Sequence, residues 1–381
     1  MYSQPKKIGT IEIKNRFVRS ATFEGMATED GYVTEKHLEL YKNLAQGGVG
    51  LIITGYAYVQ ENGRAFDKQT GISKDEFIPG LSKIAETIHK NGDGCKVAMQ
   101  IAHCGRQSRL LKNTIAPSAL EEKLTRKVPR EMTKEEIQDT IDAFAQGIRR
   151  TKEAGYDAVQ LHGAHGYIIT QFLSPYSNIR SDEYGGSLEN RVRFLEEIYT
   201  KGSDLVGRDF PILIKMNAVD FVEGGSTLEE SIEVAKRLEK IGYAAIEVSA
   251  GIWEVAKLKK KDLGWKPTFL PESRIFVGTT NEPAYNLPYA RELKKVLKIP
   301  IIVIGGINSL NLVKEILSTG SADFVSFARP FIREPVLPNR WIKGIGKQEV
   351  ECIYCNGCLS TTVSPGLSCA KLLEKDEINQ F

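Results

Sequence analysis

The run HGAHGY sets His162 and His165 three residues apart and ends on Tyr167. Neutral imidazoles are N–H donors, and two aimed at one point would hold a carbonyl or carboxylate oxygen and stabilise negative charge growing on it. The tyrosine hydroxyl would supply a proton. Both rings reach a common target if the chain turns into a helix here. A zinc pair is the competing chemistry, weakened by the lack of an obvious Glu or third ligand. A pair of ordinary hydrogen-bonded histidines is the plainer alternative. Two of only five histidines fall in this one run, which favours function.

Two short loops carry a second signal. Gly305 and Gly306 open GGI, and Ala328 and Arg329 open ARP. Glycine lets backbone N–H groups approach a phosphate closely, and a guanidinium adds a bidentate partner. A phosphorylated ligand is therefore expected, with a plain turn as the alternative. Gln100 and Lys215 end two apolar runs. An inward amide and an inward ammonium need polar partners. A flavin pyrimidine would match the amide, and a cation beside flavin N1 and O2 would favour the reduced anion. A carboxylate such as Asp220 or Glu247 is the other partner open to the lysine.

Of six cysteines, Cys352, Cys355, Cys358 and Cys369 fall in the last 30 residues, spaced C-x2-C-x2-C-x10-C. In a cytosolic chain, clustered thiols argue for metal or iron–sulfur ligation over disulfides. An iron–sulfur cluster, zinc and unligated thiols all stay open on spacing alone.

These residues need a frame. Eight short apolar runs rich in Val and Ile recur at 17–20, 50–54, 97–101, 158–162, 212–216, 245–249, 301–304 and 324–327. Such runs suit strands buried on both faces. Amphipathic stretches such as KHLELYKNLAQGG and LEESIEVAKRLEKIG separate them, several ending in the glycine that closes a helix. Strand–helix alternation repeated eight times predicts an α/β chain folded as a (β/α)8 barrel. A doubly wound open sheet is the alternative, and it lacks its GxGxxG cue. Chemistry in such a barrel sits at the C-terminal strand ends. There the sequence places Ser20, Ala21, Thr22, Tyr56, Gln100, His162, His165, Tyr167, Lys215, Gly305, Gly306, Ala328 and Arg329.

The 381 residues, 41% hydrophobic, suffice for one barrel over 1–340 and an extension over 341–381. No apolar run reaches the length of a membrane span, and the N-terminus has no signal-peptide core, so a cytoplasmic protein is expected. A net charge of +3 from 51 basic and 48 acidic residues gives no reason to expect nucleic acid or an anionic membrane. Lys257, Lys259, Lys260 and Lys261 read as a solvated loop.

The segments KIGTIEIKNRFVRSAT, QIAHCGRQS, LHGAHGYIITQFLSPYSNIRSDEYGGSLENRVRFLEEI and IPIIVIGGI resemble the Old Yellow Enzyme (NADH:flavin oxidoreductase) family, from about Lys7 to Pro335. The resemblance implies non-covalent FMN at the barrel mouth. Ser20, Ala21 and Thr22 would lie along the ring system, Gln100 would read the pyrimidine edge, and Lys215 would stand near N1. Gly306, Ala328 and Arg329 would hold the phosphate, and His162 and His165 the substrate oxygen, with Tyr167 near the proton-delivery position. The implied chemistry is reduction of FMN by NADH or NADPH, then of an α,β-unsaturated carbonyl, enoate or enoyl thioester. Phe23 stands where many relatives have Thr or Cys beside flavin N5, and the loop from 251 to about 281, with Trp253 and Trp265, is long.

The cysteine run is similar to that of the 2-enoate and 2,4-dienoyl-CoA reductases. It implies a four-iron four-sulfur cluster, although both spacings are one residue short. No second flavin domain is expected within the chain, which suggests a separate electron-donor protein. An amine- or ether-cleaving flavin dehydrogenase resembling trimethylamine dehydrogenase, and a non-catalytic flavin-binding electron-transfer subunit, are the alternative functions. Homo-oligomerisation is left open.

Overall fold

The computed structural model describes residues 1–268 and 270–378. Among them, eight parallel strands close a barrel: β1 (Phe17–Arg19), β2 (Leu51–Tyr58), β3 (Lys96–Ala102), β4 (Ala158–Gly163), β5 (Ile212–Asn217), β6 (Ile246–Ser249), β7 (Ile301–Ile304) and β8 (Phe324–Phe327). Each pairs with the next in sequence, and β8 pairs with β1. Every expected strand is present, and the fold is a (β/α)8 barrel.

The helices that follow are α1 (Glu35–Gln46), α2 (Ile78–Asn91), α3 (Lys134–Glu153), α4 (Leu188–Val206), α5 (Leu228–Ile241), α6 (Leu287–Val296) and α7 (Leu310–Ser318). Thr133, Ser187, Thr227 and Ser309 cap the N-termini of α3, α4, α5 and α7, each accepting a bond from the backbone N–H three residues on. After β8, a helix at Leu337–Ile342 packs Trp341 against Phe17 and Phe327.

Side chains alternate along each strand. The outward set, including Ile52, Val97, Val159, Ile214, Val248 and Val303, joins the helices in one large core. The inward set begins with an apolar layer of Val18, Leu51, Ile53, Ala98, Ala158, Leu213, Ala245, Ile302 and Phe324. A hairpin of Lys6–Ile8 and Ile11–Ile13, not anticipated from the sequence, plugs the barrel's N-terminal end by adding Ile8 and Ile13 to that layer. Two residues further along the strands the interior turns polar, with buried Gln100, Gln160, Lys215, Glu247 and Ser326. The apolar floor excludes water from beneath this polar tier. A ligand at the mouth therefore meets fixed dipoles, which act more strongly there than in water.

Candidate active site

The polar tier is one hydrogen-bonded network. Gln100 Nε2 donates to Gln160 Oε1 at 2.7 Å, and Gln160 Nε2 to Glu247 Oε2 at 3.0 Å. Ser326 Oγ donates to Glu247 Oε1 at 2.8 Å. Lys215 Nζ lies 3.4 Å from Glu247 Oε2 and donates to Ser20 Oγ at 2.7 Å. The lysine thus has the carboxylate partner left open by the sequence, and it is Glu247; Asp220 instead accepts from Asn217 at 3.0 Å. Gln160 and Ser326 were missed, and Glu247 was named only as an open partner of the lysine, because all three sit inside apolar runs. Counting two from Ala158, Ala245 and Phe324 would have found them.

Tyr56 reaches the mouth through an irregularity in β2. The register with β3 shifts between Thr54 and Ala57. Gly55 at the shift donates its N–H to Glu24 Oε1 at 2.8 Å, and a Cβ there would lie 2.1 Å from a Glu24 oxygen. Only glycine fits so close to a buried carboxylate. Tyr56 then joins Tyr167, Trp253, Phe23 and Phe66 in an aromatic cluster, its hydroxyl 3.1 Å from that of Tyr167. Phe23 packs 5.9 Å from Tyr56 and 5.0 Å from Phe66, centroid to centroid. Thr22 directs its hydroxyl to the Ser20 carbonyl at 3.2 Å.

His162 and His165 converge, but not by the expected helix. His162 is on β4, and His165 follows it in a left-handed conformation at φ +65°; the short helix Ile168–Leu173 begins only after Tyr167. A left-handed non-glycine residue is uncommon and needs support. Here Asn217 Oδ1 accepts the His165 backbone N–H at 3.1 Å, and Ser249 Oγ lies 2.8 Å from His165 Nε2. The two rings stand edge to face, 5.1 Å apart, and the His162 ring is 4.8 Å from that of Tyr167. His162 Nδ1 is buried without a hydrogen-bond partner among the described residues. An unpaired buried ring nitrogen at a barrel mouth is a ligand-binding atom in waiting.

Burial, helped by the Lys215 cation, holds the His162 imidazole well below the usual histidine range. Burial, then His162 and Lys215, does the same to His165. Both rings are therefore neutral near pH 7 and donate through one nitrogen each. Burial raises the Tyr167 and Tyr56 hydroxyls, so both stay protonated.

A pH dependence of stability follows. Burial also lowers His37, and takes His103 down to about 3. All four histidines bind fewer protons folded than unfolded, so stability rises with pH wherever the unfolded rings are still charged. It should be flat from pH 7 to 8 and fall as pH drops from about 6.5 towards 5, above the window of the carboxylates. Urea midpoints across that range check this. A midpoint that rises towards pH 5 would mean the imidazoles are charged in the folded protein.

The two loops expected to hold a phosphate follow the paired strands β7 and β8 and so are neighbours. Gly305 and Gly306 have φ of +113° and +71°, and a Cβ on either would lie under 3.0 Å from the Tyr285 ring. Ala328 precedes the short helix Arg329–Arg333. Arg329 Nη1 donates to the Arg274 carbonyl at 3.0 Å and to Asn356 Oδ1 at 2.6 Å. Among the described residues its Nε and Nη2 make no hydrogen bond, which leaves two donors for an anion. A tier of amides and a carboxylate, a cation, an aromatic wall and a glycine turn near an arginine together suit a flavin mononucleotide.

The long loop after β6 covers the mouth. Its Glu254 pairs with buried Arg106 at 2.6 Å, and its Trp253 packs on Tyr167 at 6.2 Å. Burial raises the Glu272 carboxyl above its ordinary range, opposed by a backbone hydrogen bond and by the Lys215 and Arg329 cations. Neither carboxylate was anticipated, since the loop carries no periodic pattern. Lys257, Lys259, Lys260 and Lys261 are exposed, as expected.

Cys352, Cys355, Cys358 and Cys369 influence one another's charge, and burial raises Cys352 and takes Cys358 up to about 11. Yet among the described residues no group of three or more His, Cys, Asp or Glu is arranged to hold a metal ion. The four thiols as placed do not form the expected iron–sulfur or zinc centre. Two backbone N–H···S contacts, Tyr354 to Cys352 at 3.4 Å and Gly357 to Cys355 at 3.5 Å, shape the loop instead. No helix is long and apolar enough to cross a membrane among the described residues.

Residues 3–348 match the NADH:flavin oxidoreductase / NADH oxidase family. The chain is 38% identical over 367 residues to an NADH oxidase of Thermoanaerobacter brockii, covering 95% of this chain and 54% of that protein. It is also 38% identical over 347 residues to an NADPH dehydrogenase of Geobacillus sp. (strain WCH70), covering 91% and 95% respectively. Among solved structures it superposes with a TM-score of 0.83 on 2-naphthoyl-CoA reductase in complex with 2-naphthoyl-CoA, 27% identical over 96% of this chain and 58% of that one. The chain thus spans about half the length of some curated relatives it matches. With the barrel, the polar tier and the match along nearly its whole length, the chain belongs to the NADH:flavin oxidoreductase / NADH oxidase family, the family of Old Yellow Enzyme.

Proposed function

We propose that the mouth of this barrel binds FMN and that the enzyme reduces an activated C=C bond, as in an α,β-unsaturated carbonyl, an enoate or an enoyl thioester. The observation that carries this reading is the pair of neutral histidines, one ring nitrogen of His162 unpartnered, with the His162 ring edge to face with Tyr167 beside the Lys215 network. FMN, when bound, would supply hydride exchange between NADH or NADPH and carbon. The protein's own residues do the rest. Gln100 faces the pyrimidine edge, Lys215 places a cation beside it, and Ser20, Ala21, Thr22 and Tyr56 line the ring. Gly305, Gly306, Ala328 and Arg329 hold the phosphate. His162 and His165 bind the substrate's activating oxygen and favour the charge that develops on it. Tyr167, with Tyr56 orienting its hydroxyl, donates a proton to the neighbouring carbon. The likeness to a reductase bound to 2-naphthoyl-CoA supports thioesters among the substrates.

The test is cofactor identity followed by acceptor dependence. The purified protein is expected to be yellow and to release FMN on heating. Its flavin, reduced anaerobically, is expected to reoxidise on mixing with enones, enoates or enoyl thioesters. Release of FAD, or a reduced flavin indifferent to every alkene while amines reduce the oxidised form, would overturn the reading.

A further inference from the structure

Two of the four residues between Cys352, Cys355 and Cys358, namely Tyr354 and Asn356, reach back to the loops of the barrel mouth. Both adopt left-handed backbone, at φ +54° and +63°. Asn356 Oδ1 accepts from Arg329 Nη1 at 2.6 Å, while its Nδ2 donates to Ser273 Oγ at 2.8 Å. The Arg329 guanidinium lies 4.7 Å from the centre of the Tyr354 ring. Tyr354 OH donates to the Ile307 carbonyl at 2.7 Å, in the loop after β7, and the Tyr354 carbonyl accepts from Phe276 N at 3.1 Å. One turn of the cysteine loop therefore grips the loop after β7, the arginine after β8 and the long loop after β6.

We infer that Asn356 is a positioning residue for the cofactor phosphate, holding the Arg329 guanidinium so that its free N–H edge is presented to the anion. This rests on the reading that the site binds FMN. Arginine has a long, flexible side chain, and fixing it before the ligand arrives lowers the ordering cost of binding. The acceptor on Asn356 uses only Nη1, and the Tyr354 ring supports the guanidinium plane from one side. Binding of phosphate and the conformation of the cysteine loop are then coupled, and the coupling runs equally in both directions.

Riboflavin, which lacks the phosphate, separates this role from general support of the fold. The full chain, freed of flavin, is titrated with FMN and with riboflavin, following quenching of flavin fluorescence. Asn356→Gly keeps the left-handed backbone without strain and removes the acceptor. It is expected to weaken FMN by about tenfold or more, the worth of one charge-assisted bond, and to leave riboflavin unchanged. Asn356→Asp keeps the size but sets a carboxylate on Arg329. It is expected to weaken FMN further, again without effect on riboflavin. Equal loss of both ligands, or FMN binding like that of the unaltered protein in both variants, would overturn the inference while leaving the FMN reading intact. An unaltered protein that binds riboflavin as tightly as FMN would overturn the inference through its premise, a phosphate site. Failure of the unaltered protein to bind either flavin would overturn the FMN reading itself.

Discussion

Replacing His162 or His165 with alanine is expected to slow reoxidation of the reduced flavin by alkene about 100-fold or more, with FMN still bound. Loss of one preorganised donor to a developing oxyanion typically costs about 2.7–4 kcal/mol. The site fits that case because burial keeps both rings neutral, so each offers a fixed dipole and not a mobile charge. His165 is doubly anchored, through Asn217 at its backbone and Ser249 at its ring, so its loss leaves a gap that the neighbours cannot fill. The partners of the two rings are Ser249, Tyr56, Tyr167 and each other, away from the loops proposed to hold the phosphate, so flavin content should not change. Stopped-flow traces at 450 nm (roughly the oxidised flavin band) measure the effect. Rates near those of the unaltered protein in both variants would remove the histidines from the chemistry.

Lys215→Met is expected to do two separable things. The first is to lower the flavin's reduction potential, on the order of tens of millivolts, because a cation no longer favours the reduced anion. The second is to destabilise the fold by about 3–5 kcal/mol, because Glu247 is left buried at 0% exposure without its partner. The double variant Lys215→Met, Glu247→Gln separates them. Gln160 and Ser326 still bond the neutral amide, so stability should largely return while the potential stays low. Potentials against a reference dye and urea midpoints of the three variants decide this. An unchanged potential in Lys215→Met would make the lysine purely structural.

The barrel was readable because buried parallel strands leave continuous apolar runs, and all eight lie where the runs are. β2 extends beyond its run, to Tyr58, since the register shift at Gly55 lets polar and aromatic residues continue the strand. The N-terminal hairpin was not legible: its strands, KKI and IEI, are three residues long, with Gly9 at φ +55° in the turn between them. The strand-end residues were found by position, and the structure gathers Ser20, Gln100, Lys215, His162, His165, Tyr167 and Tyr56 at one mouth. How the histidines converge was not legible, because a left-handed turn at His165 depends on Asn217, 52 residues away in sequence. The contacts of Asn356 with Arg329 and Ser273, over 27 and 83 residues, were invisible for the same reason. Cysteine spacing pointed to a metal, while the side chains as placed lean on backbone N–H groups.

Isotope transfer tests most directly whether this mouth passes a hydride to an alkene. The FMN-loaded protein is given NADH or NADPH carrying deuterium at the transferable dihydronicotinamide position, in ordinary water, with an enone, enoate or enoyl thioester that turns over. The expected product carries one deuterium on the carbon β to the carbonyl and a solvent proton on the α carbon. His162→Ala should slow its formation by about 100-fold or more without moving the label. A product with no deuterium at the β carbon, or a label that appears at the same rate once His162 and His165 are removed, would contradict hydride delivery to a substrate held by the histidine pair.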